Sequence, residues 1–380
     1  MPDFADPTRL TPDSFIAAAT DRTGLDDVGP DDFLDPLGLI CDGLRQERIT
    51  AGGRRLLGNT IVDYLANRQK VIDHHTRNPA LAATKVDAPI VILGLPRTGT
   101  TALSYLLDTD PQWRSLLNWE AVESVPPPTP DTLRSDPRCT ALLEFQRSVI
   151  DHIDPPPPHW EWADGPTECT FLLAQDFKAA MWESRIPWAP YRDFIADADM
   201  GSAYRYHRQA LQVLQSEAPG RWVLKMPAHA YFIDALLAEY PDARIVWTHR
   251  DPVTAVTSFM NLNGFAHRLS MGTVDHDWIA STVPGRLVEQ VRRPMEALAG
   301  HDVFHVHYRD QMADPIGVMD DLYRWAGAEL TDGVRTAMRD WLDADPLVAS
   351  RHSQYSLADY GVEAATLTSM FADYVDAFDV

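Results

Sequence analysis

Cysteine is scarce in this chain: three residues in 380, at Cys41, Cys139 and Cys169. Far apart and odd in number, they make neither a disulfide framework nor a metal knuckle, and each has the character of a small buried hydrophobe. Positive charge is also short. Thirty-three Lys and Arg stand against 55 Asp and Glu, a net charge of −22. No basic face is available to displace counterions from a polyanion, which excludes a general nucleic-acid binder. An anionic ligand must be held by a local cluster of Arg and Lys. No apolar run approaches the ~20 residues that a bilayer span takes. The N-terminus, Met1-Pro-Asp-Phe-Ala-Asp6, has neither the basic region nor the apolar core of a secretion signal. A soluble, cytoplasmic protein is the expectation. Apolar material is plentiful by contrast: 45% hydrophobic residues, with 11 Trp, 13 Phe and 12 Tyr, enough for a large core.

Residues 1–85 have helical patterning. Thr11-Pro-Asp is a helix start, and Leu57, Ile61 and Leu65 recur at helical spacing. This part is expected to pack as a helical extension on a core domain over 86–380. Within that domain apolar runs alternate with helical stretches. Pro89–Leu93, Trp113–Trp119, Arg221–Lys225, Ala243–His249 and Asp302–His307 are the predicted strands. Helices are expected over Arg138–Ile153, Glu168–Ala180, Ala203–Gln215, Ala228–Tyr240, from Asp251, and over 275–299, with a helical insert at about 131–219. Strands alternating with helices predict an α/β fold of three layers, a mainly parallel central sheet covered on both faces.

The first strand breaks at Gly94-Leu-Pro-Arg-Thr-Gly99 and continues into the helical pattern of Thr100–Leu107. Strand, tight loop and helix N-terminus present backbone N–H groups and a positive dipole end to a phosphate. The spacing is that of a P-loop, but Thr100 stands where the loop lysine is expected, and the cation comes earlier, at Arg97. Transfer from ATP needs that lysine on the terminal phosphates and a Mg²⁺ beside it. The loop therefore suits a phosphate group without ATP chemistry. A P-loop kinase or phosphotransferase remains the alternative, as does a nucleotide-binding module without turnover.

Ligands of open α/β sheets bind at the C-terminal strand edge. Four groups of polar residues are predicted to meet there: Arg97–Thr101 after the first strand, Glu120 after the second, Lys225 and His229 after the third, and His249, Arg250 and Ser258 after the fourth. Arg250 and Ser258, two helical turns apart, make a second anion site. A ligand with two separate anionic groups is implied.

These residues resemble the PAPS-dependent sulfotransferases, in particular their bacterial branch, and are similar to the tyrosylprotein and heparan enzymes. Gly-Leu-Pro-Arg-Thr-Gly-Thr-Thr (94–101) resembles the 5′-phosphosulfate loop of that family. Arg250 with Ser258 resembles its 3′-phosphate motif, and Leu-Lys-Met-Pro-Ala-His (224–229) the bacterial Leu-Lys-Ser-Pro-x-His run. The resemblance implies 3′-phosphoadenosine 5′-phosphosulfate as sulfuryl donor, with no metal, and a hydroxyl acceptor. Arg97, with Thr98, Gly99, Thr100 and Thr101, would bind the 5′-phosphosulfate, and Arg250 and Ser258 the 3′-phosphate. Arg351, in a loop near the C-terminus, would fold over the nucleotide or simply be solvated. Lys225 would stabilise the bridging oxygen, or be a lysine at the sheet edge.

Three residues compete as the base that takes the acceptor proton. Glu120 lies where tyrosylprotein sulfotransferases carry their catalytic Glu, although its flanks differ; otherwise it is an ordinary carboxylate. Glu168 follows Gly165-Pro166, where an acid also complements a helix dipole. His229 has the intrinsic range of a base and could equally be a hydrogen-bonder at a helix start. Tyr308-Arg-Asp310 takes the place of a supporting Tyr-Glu-Asp. Trp160, Trp162, Phe171 and Trp182 would line an apolar acceptor pocket or belong to the core. The acidic balance disfavours a heparan-type acceptor and leaves a small apolar or lipid-like molecule as the expected partner.

Overall fold

Five short strands form one sheet in which every neighbouring pair is parallel, in the order β2-β3-β1-β4-β5. They are β1 (Ile90–Gly94), β2 (Trp113–Ser115), β3 (Arg221–Lys225), β4 (Arg244–His249) and β5 (Phe304–His307). The computed structural model describes residues 3–153, 157, 159–344 and 356–380. Between β2 and β3 the described chain forms helices joined by loops and adds no strand to the sheet.

The strands are near-continuous apolar runs because both sheet faces are covered. Ile90 and Ile92 of β1 face a cluster with Leu103, Leu107, Met319 and Tyr323. Val91 and Leu93 face the opposite way, into a larger cluster that runs from Phe4 to Tyr374 and takes in the helices Pro12–Thr23, Leu34–Leu44 and Ala51–Arg77. Alternate residues thus anchor alternate layers. The register sets Ile92 opposite Lys225, Gly94 opposite Thr248, and His249 opposite His307. The polar ends of four strands therefore emerge along one edge, where the sheet order reverses about β1.

Three predicted elements differ in extent. β2 ends at Ser115, because Leu117 bridges to Pro166 and Asn118–Val122 turns helical. The helix expected over Glu168–Ala180 breaks into Thr170–Leu173, a 3-10 turn at Ala174–Asp176 and a new helix at Ala180–Arg185. Phe177 between them is left-handed, φ 56°. Ala228–Tyr240 is a 3-10 turn at Pro227–His229 and becomes α-helical only at Ile233.

The second break serves packing. Asp176 turns into the core and meets Arg68 of the helix Ala51–Arg77 at 2.9 Å. The Arg68 guanidinium also lies over the rings of Phe33 and Tyr206, 4.7 and 4.8 Å from their centroids. It donates to the Val28 carbonyl as well, so one buried cation ties the N-terminal helices to the segment beside the sheet. Removing one member of such a pair strands the other's charge, a loss of about 3–5 kcal/mol. Asp176→Ala should lose that much in urea unfolding. A loss under about 1 kcal/mol would show that the pair does not hold the helix in place.

Candidate functional site

The loop after β1 is shaped by two glycines and braced from both sides. Gly94 has φ 145°, and a Cβ there would lie 2.5 Å from the Thr248 carbonyl oxygen. Gly99 has φ 92°, and its Cβ would meet Gln311 Oε1 at 2.3 Å. The dihedral favours glycine at both positions, and at Gly94 a backbone oxygen also bars a Cβ. Gln290 donates to the Gly94 carbonyl at 2.7 Å and Gln311 to the Gly99 carbonyl at 3.3 Å. Gly99 caps the helix Thr100–Asp108 with no side-chain hydrogen bond, so the first-turn N–H groups are left for a ligand. The side chain of Thr98, one of the residues predicted to bind that ligand, is buried. It donates to the Leu95 carbonyl at 2.6 Å and shares a 2.6 Å hydrogen bond with Thr248, which leaves Thr98 only its backbone N–H. Thr100 is also buried, whereas Thr101 is partly open.

Arg97, at φ 68°, is turned out of the loop. Its Nε donates to Ser258 Oγ at 3.1 Å. Arg250 donates from Nη1 to the Arg97 carbonyl at 2.8 Å and lies over the Tyr308 ring, 4.1 Å from its centroid. The two predicted anion sites are therefore adjacent parts of one edge. Tyr308 supports Arg250, while Arg309 pairs with Asp379 near the C-terminus. Asp251 separately caps the helix Pro252–Met271 through the backbone N–H of Thr254, so the Arg-Asp-Pro run makes a helix cap beside the predicted anion site at Arg250. His249 points elsewhere, to His305 Nδ1 at 2.8 Å and against Phe378.

At the end of β3 the Lys225 ammonium contacts two carboxylates, Glu161 Oε1 at 2.7 Å and Glu168 Oε1 at 3.2 Å. Backbone bonds fix this arrangement. Thr167 N donates to the Leu116 carbonyl and Cys169 N to the Lys225 carbonyl, which lays Glu168 across the ends of β2 and β3. The Glu161 carbonyl accepts from Asn118 and Gln146. Burial alone would depress the lysine pKa, but Glu161 and then Glu168 outweigh it, and the ammonium is held above the ordinary lysine value. Burial likewise favours a neutral Glu161, but Lys225 and His159, the latter 3.2 Å away, hold it ionised below the ordinary carboxylate range. The side chains of Lys225 and Glu161 are 1% and 5% exposed and that of Glu168 is 24% exposed, so Glu168 is the carboxylate that faces the crevice. His159, Glu161 and Glu168 bring donor atoms within 4.8 Å of one another, a spacing that a metal ion accepts. Lys225 already supplies positive charge between two of them.

The other base candidates lie away from this group. Glu120 is fully buried, paired with both terminal nitrogens of Arg114 and accepting from Leu117 N. It caps the short helix after β2 and has no face toward Lys225. His229 is also fully buried. Its Nδ1 lies 2.7 Å from the Tyr204 hydroxyl, and burial, with His207 beside it, pushes its pKa well below the ordinary histidine range. The turn after β3 points it into the core. Trp182 stacks on Phe177 in the core, whereas Trp160 and Trp162 are partly exposed around Glu161. Arg351 lies outside the described residues.

Glu161 and His159 escaped the sequence reading. The signal was Trp160-Glu-Trp162: in an extended stretch the acid points opposite to both rings, and a carboxylate placed so must find a cation.

Comparison with known proteins bears on the fold and the family. The chain superposes on the crystal structure of sulfotransferase STF9 from Mycobacterium avium with a TM-score of 0.92, at 40% identity over 98% of this chain and 97% of that one. For sulfotransferase STF1 from Mycobacterium tuberculosis H37Rv the values are 0.85, 30%, 98% and 100%. The omega-hydroxy-beta-dihydromenaquinone-9 sulfotransferase Stf3 of Mycobacterium bovis is 25% identical over 257 residues, and the match spans 63% of either chain. The sulfotransferase family model matches residues 89–332, and the chain belongs to that family.

Proposed function

We propose that this protein transfers a sulfuryl group from 3′-phosphoadenosine 5′-phosphosulfate to the hydroxyl of a small, apolar, lipid-like acceptor. The observation that carries the reading is the Lys225–Glu168 contact, a fixed cation and a partly exposed carboxylate on the edge that also bears Arg97 and Arg250.

The residues fit such a donor. Arg250 and Ser258 would hold the 3′-phosphate. The loop N–H groups from Thr98 to Thr101, with Arg97, would hold the 5′-phosphosulfate. In the transfer the acceptor oxygen forms a bond to sulfur as the bond from sulfur to the phosphate oxygen breaks. Glu168 takes the acceptor proton. Lys225 and Arg97 meet the negative charge that develops on the departing adenosine 3′,5′-bisphosphate. Holding these groups along one strand edge would supply part of the rate enhancement through orientation.

An apolar acceptor is supported by aromatic residues around this corner. Trp160 and Trp162 flank Glu161, and Tyr105 stacks on Trp341 at 5.6 Å with its hydroxyl against Gly165. The mycobacterial relative is named for a hydroxylated menaquinone, an acceptor of the same character. Three free, buried cysteines suit a reducing compartment, and among the described residues no helix is long and apolar enough to cross a membrane. We place the reaction in the cytoplasm.

Arg250→Ala should weaken binding of adenosine 3′,5′-bisphosphate about 10–100-fold by calorimetry, the value of one or two charge-assisted hydrogen bonds, and 5′-AMP less than about threefold. Equal losses for both would remove Arg250 from the 3′-phosphate. With a long-chain isoprenoid alcohol as acceptor, Lys225→Met should lower kcat about 10²–10³-fold and change bisphosphate affinity much less; an unaltered kcat would take Lys225 out of the mechanism. Glu168→Gln should lower kcat about 10²–10⁴-fold with bisphosphate binding retained. A Glu168→Gln enzyme of full rate would place the base elsewhere.

A further inference from the structure

Arg250 is the single residue between the end of β4 and the Asp251 cap of the helix Pro252–Met271. Thr248, opposite Gly94, is the last residue of β4 that pairs with β1, and His249 pairs only with β5. On one side, then, the ladder stops holding the chain just before the arginine. The side chain of His249 holds it instead.

That side chain is fully buried, and both of its nitrogens and one of its faces are engaged. Nε2 lies 2.8 Å from His305 Nδ1 on β5, and Nδ1 lies 3.1 Å from the Tyr374 hydroxyl. A neutral imidazole donates through one nitrogen and accepts through the other, so both bonds can be made at once. Burial first, then His305 and His307, keep the ring neutral by pushing its pKa far below the ordinary histidine range. Phe378 stacks on the ring, with centroids 4.2 Å apart and planes at 22°, and it also packs on Trp247. Tyr374 and Phe378 stand four residues apart on the helix Ala372–Phe378 and so share one of its faces. Beyond that helix, Asp379 pairs with Arg309, an exposed contact that adds little by itself. None of the residues assigned to the nucleotide or the acceptor lies on this helix, yet it grips the neighbour of Arg250.

We propose that Tyr374 and Phe378 are positioning residues for Arg250: they fix His249, and through it the direction in which the strand end delivers the guanidinium, which sets the preference for a nucleotide with a 3′-phosphate. This rests on the reading of Arg250 as the 3′-phosphate residue. With His249 loosened, Arg250 keeps its stacking on Tyr308 but enters the site less ordered. A ligand must then order it, at the cost of immobilising one long side chain, about 3–10-fold in affinity. The 5′-phosphate side should hardly notice. Its N–H groups belong to the loop after β1, which Gln290 and Gln311 hold from other elements.

The test is calorimetric titration of the full chain with adenosine 3′,5′-bisphosphate and with 5′-AMP. In Phe378→Ala the ratio of the two affinities should shrink about 3–10-fold, with 5′-AMP changed less than about twofold. In an Arg250→Ala background the same substitution should leave the ratio where Arg250→Ala alone puts it, a result that a merely structural Phe378 would not give. An unchanged ratio in Phe378→Ala, equal losses for both nucleotides, or a further shrinkage in the Arg250→Ala background overturns the proposal. If Phe378→Ala does not fold, Tyr374→Phe, which removes one hydroxyl, takes its place: the ratio should shrink about threefold, and an unchanged ratio overturns the proposal. The 3′-phosphate reading fails separately, on an Arg250→Ala protein of unchanged ratio, and takes the proposal with it. An unchanged ratio in the helix variants alone overturns the proposal and leaves that reading in place.

Discussion

A single buried ammonium, that of Lys225, organises the corner where the proposed reaction would take place. A lysine at the end of a central parallel strand is costly to bury unless it is paired, and the pairing draws in a segment far away in sequence. Glu161 and Glu168 come from the stretch between β2 and β3, and backbone bonds to Leu116 and Lys225 lay that stretch across the strand ends. The charge on the strand thus determines where the insert must lie. The insert in turn brings His159, Trp160 and Trp162 to the crevice.

The other half of the crevice follows a different logic. Around the loop after β1, geometry is set by what is missing. Gly94 leaves no room for a Cβ and Gly99 holds a left-handed dihedral, Gln290 and Gln311 hold the loop carbonyls, and the Thr98 hydroxyl is consumed inside. What remains facing outward is backbone N–H and two guanidinium groups. On the proposed function, cations gathered at one strand edge of a chain with net charge −22 would serve as a local site for anions, while the acidic remainder would discourage polyanions elsewhere.

Much of this was legible in the sequence. The five strands, their parallel pairing and the positions of Arg97, Lys225 and Arg250 just after or at strand ends follow from apolar runs ending in polar residues, because a strand end is a local property. Which of Glu120, Glu168 and His229 faces the crevice was not legible. Glu120 and His229 had suitable chemistry and spacing, but whether a side chain turns to the crevice or to the core depends on the turn that carries it. The turn after β2 pairs Glu120 with Arg114, and the turn after β3 sends His229 toward Tyr204. The break at Phe177 was hidden for the same reason: a buried Arg68–Asp176 pair overrides the helical pattern, and nothing local announces Arg68 as its partner. Glu161 was concealed between two tryptophans whose size drew attention away from it.

The central claim is that this crevice binds a nucleotide by two separate anionic groups and does so without a metal. Calorimetric titration of the wild-type protein with adenosine 3′,5′-bisphosphate in the presence of a chelator, beside 5′-AMP and ATP with Mg²⁺, addresses it most directly. The account predicts tight binding of the bisphosphate that survives chelation, with 5′-AMP weaker by tenfold or more. Preference for ATP with Mg²⁺ would contradict it and make the loop after β1 a phosphotransferase site.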